Sequence, residues 1–189
     1  MIKYIDEFGL WLAITAYKNV KIENVEEFIQ NIRKETGNVT VQFFDARFVA
    51  GYEHLYFAVL NALTAFENGL GISKNLAIEI LLYAAAERQI RNAVQLLGVR
   101  EDTAKVAVVV LAESKDEVVK ALDKVSSIIQ AEEGDESILE IDDEKFETIR
   151  KLFNVSDLEL EAKLERKGLE KEALKDLIIE RVALLVTRR

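Results

Sequence analysis

The sequence predicts an α+β (α/β-like) fold, a small mixed sheet of about four strands covered by helices and followed by a helical C-terminal region. Three observations lead there. Apolar residues recur in strand-like and helix-like patterns by turns over the first part of the chain. Lys105 to Leu111 is a nearly unbroken run of Val and Ala, as a strand buried on both faces would be. Beyond Asp143 only helical spacing remains. A change of character after Ala131 divides an α/β core, residues 1–131, from a helical region, residues 132–189, packed on it within a single domain overall.

Gly9 to Val25 carries Leu10, Trp11, Leu12, Ile14, Tyr17, Val20 and Ile22, which reads as one strand or two short ones. Asn24 is an N-cap, with Glu26 and Glu27 in the first turn and Phe28, Ile29 and Ile32 on the apolar face of a helix that stops near Gly37. Val39 to Phe44 is the next strand, and Asp45 to Gly51 leads out of it. From Tyr52 to Glu67 the apolar spacing is three and four, and Asn68-Gly69 with Gly71 closes that helix. Ser73 is the expected cap of a helix from Lys74 to Leu97 that ends at Gly98. Ser114 caps another through Ile129. Glu132 to Glu136 reads as a solvated acidic turn, and Ile138 to Ile141 as a short edge strand. Helices then cover Asp143 to Phe153, Ser156 to Lys167 and Lys171 to Val186, with Gly168 between the last two. The C-terminal helices either pack on the sheet or project as a partner-binding element.

Composition excludes several kinds of chemistry. There is no cysteine, so disulfides, zinc–thiolate sites and thiol nucleophiles are ruled out. No apolar run reaches the roughly 18 residues a bilayer span needs, and the first residues carry acids where a secretory signal carries bases. A soluble, cytoplasmic protein is expected. The chain has no proline and 31% charged residues, a composition seen in thermophile proteins. Its net charge of −9 confines any RNA contact to a local basic patch and makes DNA an unexpected partner.

Candidate catalytic residues are few. Gly69-Leu70-Gly71 lacks the Lys-Ser/Thr that follows a phosphate-cradling loop. Asp142-Asp143-Glu144 lacks the spacing of a calcium loop and reads as a solvated face, so neither metal nor cofactor is expected. His54 is the sole histidine, and nothing near it resembles a nucleophile elbow. It reads as a packed or hydrogen-bonded helix residue; a functional His54 would stack on or hydrogen-bond a bound group. An enzyme using His54 with Glu53 or Asp45 is the least favoured reading.

The informative stretch is Lys74 to Leu97. Leu76, Ala77, Ile78, Ile80, Leu81, Leu82, Tyr83 and Ala84 point in every direction around a helix axis, which implies burial on several sides. Glu79 lies inside that run and needs a partner or a wet edge. From Glu87 the helix turns polar: Glu87 and Arg91 are spaced as an exposed pair, and Arg88, Arg91 and Gln95 share a stripe able to meet a phosphate.

Ser73-Lys74-Asn75-Leu76-Ala77-Ile78-Glu79-Ile80-Leu81-Leu82-Tyr83-Ala84-Ala85-Ala86-Glu87-Arg88-Gln89-Ile90 resembles the characteristic helix of the small regulatory subunit of the KEOPS complex, the archaeal and eukaryotic family that includes the human PRPK-binding protein. His54-Leu55-x-x-Ala58-x-x-Asn61-Ala62 and Glu180-Arg181-Val182-Ala183-Leu184-Leu185 are similar as well. Two departures stand out. Many family members carry glycine where Ala86 stands, and alanine favours a continuous helix by about 1 kcal/mol over glycine. Residues 132 to 170 are also longer and more acidic than a compact member needs.

The resemblance implies a non-catalytic accessory subunit of an archaeal complex that installs the threonylcarbamoyl group on the adenosine beside the tRNA anticodon. It implies two partners, the kinase-like ATPase subunit of KEOPS and the single-stranded 3′ CCA end of tRNA. For the RNA, Lys74, Arg88 and Arg91 would supply cations, Asn61, Asn75 and Gln89 base-edge hydrogen bonds, and His54 a ring. For the kinase-like partner, Leu177, Ile178, Val182, Leu184 and Leu185 on the last helix are the candidates. A protein-interaction module with no RNA role is the alternative.

Overall fold

The computed structural model describes residues 2–131, 134–164 and 166–187. The chain divides by internal contacts into two units, Met1–Ala46 with Gly98–Ile138, and Arg47–Leu97 with Leu139–Arg189. The composition-based boundary at residue 131 cuts the chain elsewhere, because it follows sequence order while the units interleave.

The first unit holds one sheet. Strands β1 (Ile2–Ile5), β2 (Leu10–Tyr17), β3 (Thr40–Asp45) and β4 (Val106–Ala112) lie in the order β1-β2-β4-β3. All three neighbouring pairs are antiparallel, with Ile14 opposite Val109 and Phe43 opposite Val108. Central β4 is buried at all seven positions, which is why its sequence shows no polar alternation. Helices α1 (Val25–Thr36) and α5 (Lys115–Ile128) pack on one face, where Phe28, Ile32, Val118, Ala121 and Val125 meet Ala13, Tyr17, Phe43, Val106, Val108 and Val110. The Phe28 and Phe43 rings meet edge-on at 5.0 Å.

Asn24 caps α1 by accepting the N–H of Glu27, and Ser114 caps α5 in a capping box with Glu117. At the end of β3, fully buried Asp45 accepts the Thr103 hydroxyl at 3.0 Å. Strand β1 was not expected. It is short and begins at the chain start, and its hairpin to β2 turns through Gly9 at φ +64°. The edge strand expected over Ile138–Ile141 is absent; Glu136–Leu139 is a 3-10 turn, since four residues without a sheet neighbour have nothing to pair with. Of the expected acidic turn, Glu132 and Glu133 lie outside the described residues. Gly134 packs so tightly on Thr15 that a Cβ there would stand 2.2 Å from its hydroxyl oxygen, and the Asp135 N–H donates to Ala16 of β2. That end of the turn is therefore anchored.

The second unit is helical: α2 (Tyr52–Glu67), α3 (Leu76–Ala84), α4 (Ile90–Leu97), α6 (Asp143–Leu152), α7 (Asp157–Lys163) and α8 (Glu170–Ala183). Helix α2 packs against α3 and α8, and α6 and α7 pack against α8. Arg181 of α8 donates to the carbonyls of Phe153 and Asn154 and to the Glu159 carboxylate, clamping the α6–α7 turn in which Asn154 takes φ +51°. The helix expected to Lys167 ends at Lys163, and Glu165 lies outside the described residues. Helix α8 gives way to a 3-10 turn at Leu184–Thr187.

Candidate nucleic-acid interface

The helix expected over Lys74–Leu97 is two helices. Helix α3 stops at Ala84, and Ala86 adopts φ +50°. The Ala86 N–H donates to Tyr83 O at 2.9 Å and the Glu87 N–H to Leu82 O at 3.0 Å, the paired bonds of a Schellman motif. Alanine has the highest helix propensity, so nothing local announced the stop. Its position is where the resembling family carries glycine, the residue that enters this conformation without strain.

Burial explains how an alanine is held there. Ala84, Ala85 and Ala86 are all buried, and the Ala84 carbonyl has lost its helical donor. His54 of α2 supplies one, its Nε2 lying 2.8 Å from Ala84 O. Its Nδ1 accepts the Ala50 N–H at 3.0 Å, so the ring is the neutral Nε2–H tautomer. The Phe153 ring stands edge-on at 5.6 Å. Burial pushes the His54 pKa down to about 4; the bond to Ala84 opposes the shift and the Lys145 ammonium adds to it. His54 is fully buried with both nitrogens engaged, and it cannot stack on RNA as expected.

At the other end of α3 the cap is Asn75 rather than Ser73. Asn75 Oδ1 accepts the Ile78 N–H at 3.2 Å, and Ser73 Oγ accepts the Asn75 N–H at 3.1 Å. The cap occupies the side-chain oxygen of Asn75, one of the residues expected to offer base-edge hydrogen bonds, although the residue is exposed. Glu79, fully buried in the first turn of α3, accepts the N–H groups of Ile72 and Ser73 at 3.0 and 2.7 Å. That fixes the segment carrying exposed Leu70 and Lys74. Burial raises the Tyr83 phenol pKa, nearby Glu79 raises it further, and Arg88 opposes them.

Arg88, Gln89 and Arg91 are exposed beyond the break. Arg88 stands in the turn, and Arg91 lies on α4 with Gln95 one turn on. Among the described residues Lys74, Arg88 and Arg91 carry no ion pair, the expected Glu87–Arg91 pair included. Lys74 and Arg88 lie beyond opposite ends of α3, whose nine residues span about 14 Å at 1.5 Å per residue. Asn61 is half-buried, and its amide donates to Phe57 O at 2.8 Å, leaving its oxygen for a ligand. Sequence reasoning missed Phe57, an exposed aromatic one turn before Asn61, and the apolar pair Ile90 and Val94, which are 47% and 44% exposed on α4. The four-residue spacing of Ile90 and Val94 was the available signal.

The expected partner face is also corrected. Ile178 and Val182 of α8, and Leu185 of the 3-10 turn after it, are fully buried and belong to the core of their unit, in which α8 packs against α2, α3 and α6. Leu177 is half-buried, whereas Leu184 and Val186 remain 44% and 45% exposed.

Among the described residues, no three His, Asp or Glu side chains gather as a metal site, and no helix is long and apolar enough to cross a membrane. Fold and surface together define a small α+β protein that exposes cations without an ion pair among the described residues, amide groups and apolar side chains. The chain belongs to the family described as kinase binding protein CGI-121, whose family model matches residues 17–185. It is 26% identical over 172 residues to the EKC/KEOPS complex subunit CGI121 of Candida albicans, covering 82% of this chain and 85% of that protein. It is 27% identical over 122 residues to the subunit of the same name in Candida glabrata, with 65% of each chain covered. It is 28% identical over 126 residues to the regulatory protein Cgi121 of Methanocaldococcus jannaschii, covering 66% and 78%.

Proposed function

We propose that this chain is a non-catalytic accessory subunit of the KEOPS tRNA-modification complex, binding a kinase-like ATPase subunit and the 3′ CCA end of tRNA in the cytoplasm. The observation that carries the reading is the family match over residues 17–185, with relatives named as KEOPS subunits. The surface supports the RNA half. Lys74, Arg88 and Arg91 are exposed and without an ion pair among the described residues, and Phe57, Asn61 and Gln89 offer a stacking face and base-edge hydrogen bonds. In a chain of net charge −9, such cations confine RNA to one place. Leu184 and Val186 offer the kinase-like subunit an apolar contact, to which half-buried Leu177 of α8 could add.

Two measurements test the proposal. Purified protein should bind a tRNA transcript and lose most of that affinity when the CCA end is trimmed; equal affinity for both transcripts rejects the RNA half. Size-exclusion chromatography with the kinase-like subunit should give one co-eluting peak, and separate peaks reject the partner half. A protein-interaction module with no RNA role is favoured by the acidic charge and the exposed Ile90–Val94 pair. Co-elution without any tRNA binding would establish it.

A further inference from the structure

We infer that His54 is a positioning residue: through the Ala84 carbonyl it fixes the turn that aims Arg88, Gln89 and α4 outward, without touching the ligand itself. The inference rests on the proposed RNA reading for what the turn meets, and on geometry alone for how the turn is held.

A Schellman motif satisfies the carbonyls of Leu82 and Tyr83 and leaves that of Ala84, the last helical residue, without a backbone donor. Water cannot serve, since Ala84 is fully buried. One side chain outside α3 reaches it: His54 Nε2 at 2.8 Å. The ring cannot slip, because the Ala50 N–H holds Nδ1 at 3.0 Å and the Phe153 ring stands against it. The chain therefore leaves α3 along one direction, set by an imidazole anchored on α2. Three residues lie between Ala84 and Arg88, and one of them, Ala86, sits in a left-handed conformation that alanine adopts only under constraint. If Ala84 O were released, the most economical repair would be to resume the helix, with the Arg88 N–H as its donor. That would carry Arg88 and Gln89 onto the axis of α3 and swing α4 away. The bond thus selects between two backbone paths for the same cations.

The two ring nitrogens can be separated chemically. Glutamine places an amide N–H close to where Nε2 stands and keeps the bond to Ala84. Asparagine places an amide oxygen close to where Nδ1 stands, keeps the bond to Ala50 and loses the other. Each variant forfeits one buried hydrogen bond, so a purely structural role predicts equal loss of stability and equal tRNA binding.

The test compares full-length wild type, His54→Gln and His54→Asn by thermal melting, by amide exchange over residues 86–91, and by affinity for a CCA-ended tRNA transcript, with Arg88→Glu as control. Expected are similar melting temperatures for the two His54 variants. His54→Gln should bind tRNA within about twofold of wild type and His54→Asn at least about tenfold more weakly, with exchange slower at Arg88 to Arg91 in His54→Asn alone, where the resumed helix gives those N–H groups acceptors. Equal affinities and equal exchange in the two variants overturn the inference. If Arg88→Glu binds tRNA as wild type does, the RNA reading fails while the exchange data still decide the positioning role. If neither His54 variant folds, the imidazole nitrogen shifts of wild type decide: an Nε2–H neutral ring supports the inference, and an Nδ1–H ring overturns it.

Discussion

The carboxylate of Glu79 accepts the backbone N–H of Ser73 at 2.7 Å from a fully buried position inside an otherwise apolar helix. A second N–H, from Ile72, meets its other oxygen at 3.0 Å. A carboxylate that accepts twice from backbone amides offsets its own desolvation and orders the segment that donates. The segment here is the approach to α3, which carries Lys74 and the Asn75 cap.

Glu79→Ala should cost about 3 kcal/mol, since it leaves two N–H groups without their charged acceptor and opens a cavity. Glu79→Gln should cost less, about 1–3 kcal/mol, because one amide oxygen still accepts while the NH2 confronts the second N–H. Urea denaturation of the three proteins gives both values. The same order should appear in the rate of limited proteolysis between Gly69 and Asn75. Equal stability of all three would show that Glu79 orders nothing.

At Ala86 two readings of one residue predict opposite signs. In a continuous helix Ala86→Gly would cost about 1 kcal/mol. At φ +50° the substitution instead relieves about 1–2 kcal/mol of left-handed strain. It also gives up the burial of one methyl, worth about 0.8 kcal/mol. The expected outcome is a midpoint of denaturation equal to or above that of wild type. A β-branched residue tolerates the conformation worse than alanine, so Ala86→Val should be clearly destabilised.

That contrast marks where the fold was legible in the sequence and where it was not. β4 could be read because burial on both faces writes an unbroken Val/Ala run, and the caps at Asn24 and Ser114 because capping is local chemistry. The end of α3 could not be read from Ala84-Ala85-Ala86. What stops the helix is a histidine thirty residues earlier in the chain, and propensity carries no term for it. His54 reads from the residues as a packed or hydrogen-bonded helix residue, which it is; its RNA contact, added with the resemblance, fails because burial shows only in three dimensions. Along α8 and the 3-10 turn after it, apolar type alone did not separate buried Ile178, Val182 and Leu185 from exposed Leu184. Of the proposed RNA contacts, Lys74, Arg88, Gln89 and Arg91 are surface groups as expected, while His54 is not and Asn75 is occupied as a cap.

Acid should destabilise the protein through His54. Its pKa is 6.5 as a free group and about 4 when folded, so the folded chain binds the proton less readily than the unfolded one. The neutral ring's contribution is therefore complete above pH 6.5 and lost as pH falls from 6.5 through about 4. The full difference is on the order of 3 kcal/mol. Denaturation midpoints measured between pH 7.5 and 4, as a test range of about three and a half units, should fall in wild type and fall less steeply in His54→Gln, which has no ring to protonate. Parallel curves would remove His54 as the source.

On the proposed partner face, neighbouring leucines should behave oppositely. Leu184 is 44% exposed and Leu185 fully buried. Leu184→Glu should leave the melting temperature nearly unchanged, as surface substitutions generally stay within about 0.5 kcal/mol, and should weaken co-elution with the kinase-like subunit. Leu185→Glu should unfold the helical unit, because it buries an unpaired carboxylate. A Leu184→Glu protein that still co-elutes fully would move the interface elsewhere.

The proposed RNA contacts also fix a salt dependence. Binding to a single strand loses about 0.7 logarithmic units of affinity per tenfold rise in salt for each phosphate neutralised. With Lys74, Arg88 and Arg91 all engaged, the slope should be about −2. Arg88→Glu should weaken binding and flatten the slope by about 0.7, with melting unchanged because Arg88 is exposed and has no ion pair among the described residues. Asn61→Ala should weaken binding without changing the slope, since an amide reads a base edge and displaces no counterion. Filter binding across a salt series on wild type and the two variants separates these cases. An unchanged slope in Arg88→Glu would place the phosphates away from the α3–α4 turn.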